Sequence, residues 1–283
     1  DSISYVKDGN VFLTTPDGAK TLQVTTGGGY ATASQADDGR IIAAKGGRLH
    51  LLSRHGDVLA DFSPVAPGTA GSITLNGPFD PAISPDGSKV AYGFYVQYKS
   101  GDPNCGRPGG CQVGHLYAGT GYTRSDGAVE WSQDGFRPEW GWSDPSWIDG
   151  SRTLLGAADS AFITDTAIDG AGDAANAAEW FSDPTPDSSN LYDGELNRQG
   201  TAVAFVTNTQ GDNLRIWRLA GAPQQGVVPA GCLNAPAQGG PWSSPSWSPD
   251  GERVVFAGPD GLYVAGLPGL NTSCPDASRI SVQ

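Results

Sequence analysis

The feature that most constrains this chain is a short phrase, Ser-Pro-Asp-Gly followed by an apolar run. It stands at Ser248–Gly251 ahead of Arg253–Ala257, and again at Ser84–Gly93 as SPDGSKVAYG. Looser copies read WIDGSRTLLG at Trp147–Gly156, NRQGTAVAFV at Asn197–Val206 and ADDGRIIAA at Ala36–Ala44. Asp-Gly between apolar runs is a strong hairpin signal, because glycine takes the positive φ such a turn needs. The turn glycines Gly39, Gly87, Gly150, Gly200 and Gly251 are separated by 48, 63, 50 and 51 residues. A fixed phrase at a period near fifty marks a repeat architecture.

Each repeat holds four short strands, one before the turn and three after it. The third strand reads as Arg48–Ser53, His115–Gly119, Ala161–Asp165, Asn213–Leu219 and Gly261–Leu267. The fourth reads as Val58–Phe62, Ala128–Ser132, Ala178–Ser182 and Val227–Ala230. Four antiparallel strands per unit, arranged radially, make the blade of a β-propeller, an all-β fold. A further unit opens the chain without its turn: Ile3–Val6, Asn10–Thr14 and Lys20–Thr25 read as second, third and fourth strands. Six blades are expected, one of them incomplete, in a single domain over residues 1–283. The tail Arg279–Gln283 either completes the last blade or pairs with the first and closes the ring.

The phrase P-x-W-S-P-D-G ahead of an apolar strand, complete at Pro245–Gly251, resembles the propeller repeats of the TolB family. The resemblance covers nearly the whole chain and implies a WD40-like propeller that binds a protein partner in the cell envelope. It concerns the propeller part only, since no stretch is left over for the N-terminal α/β domain of TolB proteins. Similar repeats precede the hydrolase domain of prolyl-oligopeptidase-like enzymes, but the sequence contains no Gly-x-Ser-x-Gly elbow. Propellers serve many unrelated activities, so the fold does not assign one.

Composition fits this reading. Gly 41 and Pro 21 in 283 residues suit a chain of many turns. Helical periodicity is confined to a turn or two at Ala171–Trp180, and no apolar stretch has the length of a membrane span. The net charge of −13 and the lack of Lys/Arg clusters argue against a nucleic-acid partner and favour cationic ones. A monomer is expected. The cysteines Cys105, Cys111, Cys232 and Cys274 lack the paired spacing of a zinc site. Four cysteines allow three pairings, and the favoured one joins Cys105 to Cys111 and Cys232 to Cys274. The first bridge would staple an inserted arm at about 99–114. Disulfides and the absence of methionine suit a secreted or periplasmic protein.

No catalytic residue is assigned. His50 and His115 fall in third strands and His55 in a turn, where histidines are usually structural; only His115 is a candidate for a hydrolase or lyase. Asp38, Asp86, Asp149 and Asp250 belong to Asp-Gly turns and serve the backbone. The Asp-rich stretch Asp169–Asp173 is no calcium loop, because Trp180 stands where an EF-hand needs its last acid.

Aligning the first strands gives a better signal. Thr32, Asp80, Asp144, Asp193 and Ser244 occupy one position in five blades. First strands line the channel of a propeller, so these residues are expected to ring one mouth. Asp80, Asp144 and Asp193 there are hard oxygen ligands suited to Ca²⁺ or to a cationic side chain, although aspartate also caps turns at such positions. No cofactor is required on this reading. Tyr30, Phe79, Trp142, Tyr192 and Trp242 lie just upstream and, with Trp140, form a candidate aromatic rim for a protein or a carbohydrate. The competing reading packs aromatics between blades, and it is preferred for Trp147, Trp217 and Trp247. The expected function is an exported, non-enzymatic binding module; the alternative is a metal-dependent hydrolase or lyase acting on carbohydrate or peptide at the channel.

Overall fold

The computed structural model describes residues 2–64, 69–70, 73–102, 111–128, 143–157, 160–165, 178–182, 191–207, 213–219, 229–230, 241–267 and 278–280. These residues form strands and turns, with no helix among them. The strands make six antiparallel sheets that follow one another along the chain. Blade 1 is β1 (Ile3–Lys7), β2 (Asn10–Thr14) and β3 (Thr21–Gln23); blade 2 is β4 (Tyr30–Gln35), β5 (Ile41–Lys45), β6 (Arg48–Leu52) and β7 (Val58–Phe62). Blade 3 is β8 (Thr69–Ala70), β9 (Ile73–Ile83), β10 (Lys89–Asp102) and β11 (Cys111–Arg124). Blade 4 is β12 (Ser143–Trp147), β13 (Arg152–Ala157), β14 (Ser160–Asp165) and β15 (Ala178–Ser182). Blade 5 is β16 (Leu191–Leu196), β17 (Ala202–Thr207), β18 (Asn213–Leu219) and β19 (Pro229–Ala230). Blade 6 is β20 (Ser243–Trp247), β21 (Arg253–Gly258), β22 (Gly261–Gly266) and β23 (Ser278–Ile280).

The repeated turn works as its residues dictate. Asp38, Asp86, Asp149 and Asp250 each accept, on Oδ1, the backbone N–H two residues ahead, at 2.8–3.1 Å. The following glycine is left-handed at Gly39, Gly87 and Gly251, with φ of 88°, 72° and 73°. Gly150 lies outside that region, because WIDG is one residue shorter than WSPDG between the tryptophan and the glycine.

Consecutive blades are glued by apolar clusters. Val11 and Leu13 of blade 1 pack with Ile41 and Leu52 of blade 2, and Ile42 and Leu51 pack with Ile83 and Val90 of blade 3. Trp147 sits against Ala91 and Tyr122, joining blades 3 and 4. Leu154 and Ile163 meet Val203 and Phe205, and Ala204 and Ile216 meet Val254 and Phe256. Trp147 and Trp247 are wedges: each indole Nε1 donates to a carbonyl of the preceding blade, Ala82 at 2.8 Å and Glu195 at 2.9 Å.

One open point is settled and one expectation changes. The tail forms β23, which pairs with β22 (Leu262 opposite Ile280) and so completes blade 6. In blade 3 the fourth strand of the sheet is β8, which precedes the first strand and pairs with the outer part of β9. Residues 129–132 of the expected fourth strand lie outside the described residues, as do residues 171–177 of the expected helical turn, which is followed by strand β15. The arm is the far end of a long hairpin, with β10 and β11 paired from Lys89–Arg124 out to Asp102–Cys111. Cys105, Cys232 and Cys274, and the side chain of Cys111, lie outside the described residues.

Candidate binding site at the channel mouth

A cavity of about 1240 Å³ runs between the first strands, lined by Thr32, Asp80, Asp193, Glu195 and Ser244 among others. The aligned position is a shared backbone irregularity. Register shifts break the pairing of first and second strands at this level in all five complete blades. Asp80, Asp193 and Ser244 are left-handed there, with φ of 42°, 47° and 53°. Aspartate and serine suit the position because a short polar side chain tolerates this conformation better than a bulky one. Such bulges turn a side chain away from the alternating pattern, here into the channel.

Two carboxylates of β16 bind the next blade. Asp193 Oδ2 accepts the backbone N–H of Ser244, and Glu195 Oε1 accepts that of Trp247 at 3.3 Å. Ser34 fills the role of Glu195 between blades 2 and 3, accepting the N–H of Ile83 at 3.2 Å. Desolvation pushes the Glu195 carboxyl up to about 7, aided by the nearby Asp193 charge and opposed by the Trp247 N–H. Asp193 is therefore both a channel group and an inter-blade clamp. Asp144 lies on β12 at the expected level, but its side chain is outside the described residues. Among the described residues no group of three or more His, Cys, Asp or Glu side chains is placed to hold a metal ion.

The aromatic rim divides. Phe79 is 39% exposed beside Asp80, and its ring lies 5.3 Å from that of Tyr95, itself 40% exposed. Tyr95 was not a sequence candidate: it belongs to β10, and only the register across Gly93–Phe79 and Tyr95–Asn76 brings it beside Phe79. Trp242 is a correction, since it is 3% exposed and packs edge-on against Phe256 and Tyr263 in the interface of blades 5 and 6. Tyr30 is another, 8% exposed with its hydroxyl 3.0 Å from His50 Nδ1 and Lys45 Nζ 4.9 Å from its ring centre. Both are apolar enough to be worth more inside an interface than on a rim. Trp140, Trp142 and the side chains of Tyr192 and His115 lie outside the described residues.

His50 is held in a structural chain, its Nε2 3.6 Å from Asp61 Oδ1, which Arg48 Nε also contacts at 2.5 Å. Burial lowers the His50 pKa against the pull of Asp61, so the ring stays neutral near pH 7. His55 lies in a turn with its N–H on Ser53 Oγ at 3.2 Å. No helix among the described residues is long and apolar enough to cross a membrane.

At the opposite end of the cavity Arg198 of blade 5 reaches Asp37 of blade 2, with Nη1 2.5 Å from Oδ2 and Nη2 on Oδ1. Both residues line the cavity and their blades are three apart in the chain, so the pair spans the cavity at its turn end. The bulge end, with Asp80, Asp193 and Ser244, is the other mouth.

No protein-family model matches the chain, and no curated protein does. Among solved structures, the putative TolB of Agrobacterium tumefaciens is 16% identical, covers 99% of this chain and 89% of its own, and superposes with a TM-score of 0.58. TolB of Acinetobacter baumannii is 15% identical over 98% of this chain, with a TM-score of 0.54; the match spans 65% of that protein, just under two thirds of its length. An oligogalacturonate lyase from Vibrio parahaemolyticus is 13% identical over 91% of this chain and 68% of its own, with a TM-score of 0.54. At these identities the likeness concerns the fold: the chain has the β-propeller architecture of TolB propellers, and that architecture also carries a lyase.

Proposed function

We propose that this propeller is a non-enzymatic binding module of the cell envelope that takes a cationic segment of a protein partner at the bulge end of its channel. The observation that carries this reading is the exposed Phe79–Tyr95 pair, whose Phe79 directly precedes Asp80, a lining residue of the cavity. Two accessible aromatic faces next to an acid suit a Lys or Arg side chain, which stacks on the ring and pairs with the carboxylate. The chain's charge of −13 draws such a segment in. The bulged first strands are fixed by inter-blade hydrogen bonds, so little ordering entropy is lost on binding. An envelope location follows the resemblance to TolB propellers.

The test is calorimetric titration of the full chain with an arginine- and lysine-containing decapeptide, with oligogalacturonate and with CaCl₂. The reading expects saturable binding of the basic peptide that weakens with added salt and is lost when Phe79 and Tyr95 are both alanine. Preferential binding of oligogalacturonate would replace the partner with an acidic polysaccharide. Calcium at Asp80, Asp144 and Asp193 is a second proposed occupant, and it expects a calcium-dependent rise in Tm that Asp80→Asn abolishes.

A further inference from the structure

We propose that the glycine loop between blades 1 and 2, with the Lys45 ammonium beside it, binds one tetrahedral oxyanion, a phosphate or a sulfate, free or carried as a monoester. The site is separate from the channel, since Thr26, Gly27, Gly29 and Lys45 are not among the residues that line the cavity. It does not depend on the reading given for the bulge end.

The chain's one run of three glycines, Gly27–Gly29, lies between β3 and β4. Blade 1 holds this loop at three points. Val11 N–H donates to Thr25 Oγ1, Gly28 N–H to Asn10 Oδ1, and Tyr30 N–H to the Gly9 carbonyl, each at 2.9 Å. Gly28 and Gly29 are left-handed, with φ of 63° and 85°, whereas Gly27 is not. A change of hand between successive residues turns neighbouring N–H groups toward one side, the geometry of an anion-binding nest. Thr26, Gly27 and Gly29 are exposed, and their N–H groups have no hydrogen-bond partner among the described residues. The loop is thus fixed before anything binds, so little ordering entropy is lost.

Lys45 supplies the charge. It lies opposite Tyr30 at the end of β5, and its side chain runs along the loop. A Cβ at Gly29 would lie 3.2 Å from Lys45 Cε, and one at Gly27 would lie 3.8 Å from Nζ. A side chain at Gly29 would crowd that path, so the glycines and the lysine belong to one arrangement. The Tyr30 ring centre is 4.9 Å from Nζ and steadies the ammonium without neutralising it. No carboxylate pairs with Lys45 among the described residues. The acids nearest in the fold are accounted for: Asp61 is held by Arg48 Nε at 2.5 Å and faces His50, and Asp8 is exposed in the β1–β2 turn. An ammonium without a counter-charge beside several N–H donors suits an oxyanion, with charge met by Lys45 and separate oxygens by the backbone. A tetrahedral group presents oxygens in more directions than a planar carboxylate, and so uses more of these donors.

Calorimetric titration of the full chain with sodium phosphate, sodium sulfate and glycerol 3-phosphate tests this, with sodium chloride keeping the ionic strength constant. The proposal expects saturable one-to-one binding. Lys45→Met keeps the stem and removes the charge, and should weaken binding about tenfold or more. Gly27→Pro removes one loop N–H at a residue outside the left-handed region, and should weaken it several-fold. Lys20→Met removes a cation elsewhere on blade 1 and should leave binding unchanged; circular dichroism confirms the fold of each variant. Tighter binding of glycerol 3-phosphate than of phosphate supports the site and assigns it to a monoester, and the reverse order assigns it to the free ion. Absence of saturable binding of all three, or equal affinity in the wild type, Lys45→Met and Gly27→Pro, would overturn the proposal.

Discussion

Asp37 and Arg198 stand 161 residues apart in the chain and meet across the channel in a two-point carboxylate–guanidinium pair. It is the one ion pair of the described set that joins blades so distant in sequence. Both side chains are partly exposed, at 40% and 47%, which limits their worth to about 0.5–1 kcal/mol. In a double-mutant cycle Asp37→Arg alone should destabilise the fold by about 1 kcal/mol, by placing two cations together, and the swap Asp37→Arg with Arg198→Asp should restore most of it. Urea unfolding reads both.

The wedge tryptophans should behave unlike the mouth aromatics. Trp247→Ala removes a buried ring and its bond to the Glu195 carbonyl, at a cost of about 3–5 kcal/mol. Phe79→Ala and Tyr95→Ala remove exposed surface and should change stability by less than about 1 kcal/mol. Thermal unfolding separates the two classes.

Glu195 makes stability depend on pH in a definite direction. Its folded pKa, about 7, lies above the ordinary glutamate value of 4.5. Between those values the folded state keeps a proton that the unfolded state releases, so this group's contribution is full below pH 4.5 and is lost as pH rises through 7. Measured against Glu195→Gln, which cannot ionise, the wild type should lose several degrees of Tm between pH 5 and pH 8. A constant difference across that window would mean that Glu195 ionises normally.

Gly194 follows the bulge where blades 3, 4 and 6 carry Pro81, Pro145 and Pro245. A Cβ at Gly194 would lie 2.0 Å from the ring of Phe205, which is fully buried. Gly194→Ala should destabilise the fold by about 1–3 kcal/mol, and Phe205→Leu in the same chain should recover part of that loss. Chemical denaturation of the three variants checks it.

The repeat was legible because it is local. Turn, glycine and following strand lie within about ten residues, so hairpin chemistry and the period together give the blades. The bulge position was legible for the same reason, since Asp80, Asp193 and Ser244 recur at a fixed distance from the turn. Tyr95 was not, because its approach to Phe79 rests on the irregular β9–β10 register, which has no sequence signature. Trp242 and Tyr30 were misplaced because an aromatic before a first strand reads alike whether it faces solvent or the next blade. Only contacts with Phe256 and Tyr263, and with His50, distinguish the cases. The pairing of β23 was undetermined for a comparable reason: a short terminal strand carries no turn to fix its neighbour.

The account turns on the bulge-end mouth, and calorimetry of the basic decapeptide on four proteins tests it most directly: wild type, Asp80→Asn, Phe79→Ala with Tyr95→Ala, and Trp247→Phe. It predicts saturable binding to the wild type and to Trp247→Phe, a loss of about tenfold or more in each mouth variant, and an unchanged fold in both. Equal affinity for all four proteins would place binding elsewhere and contradict it.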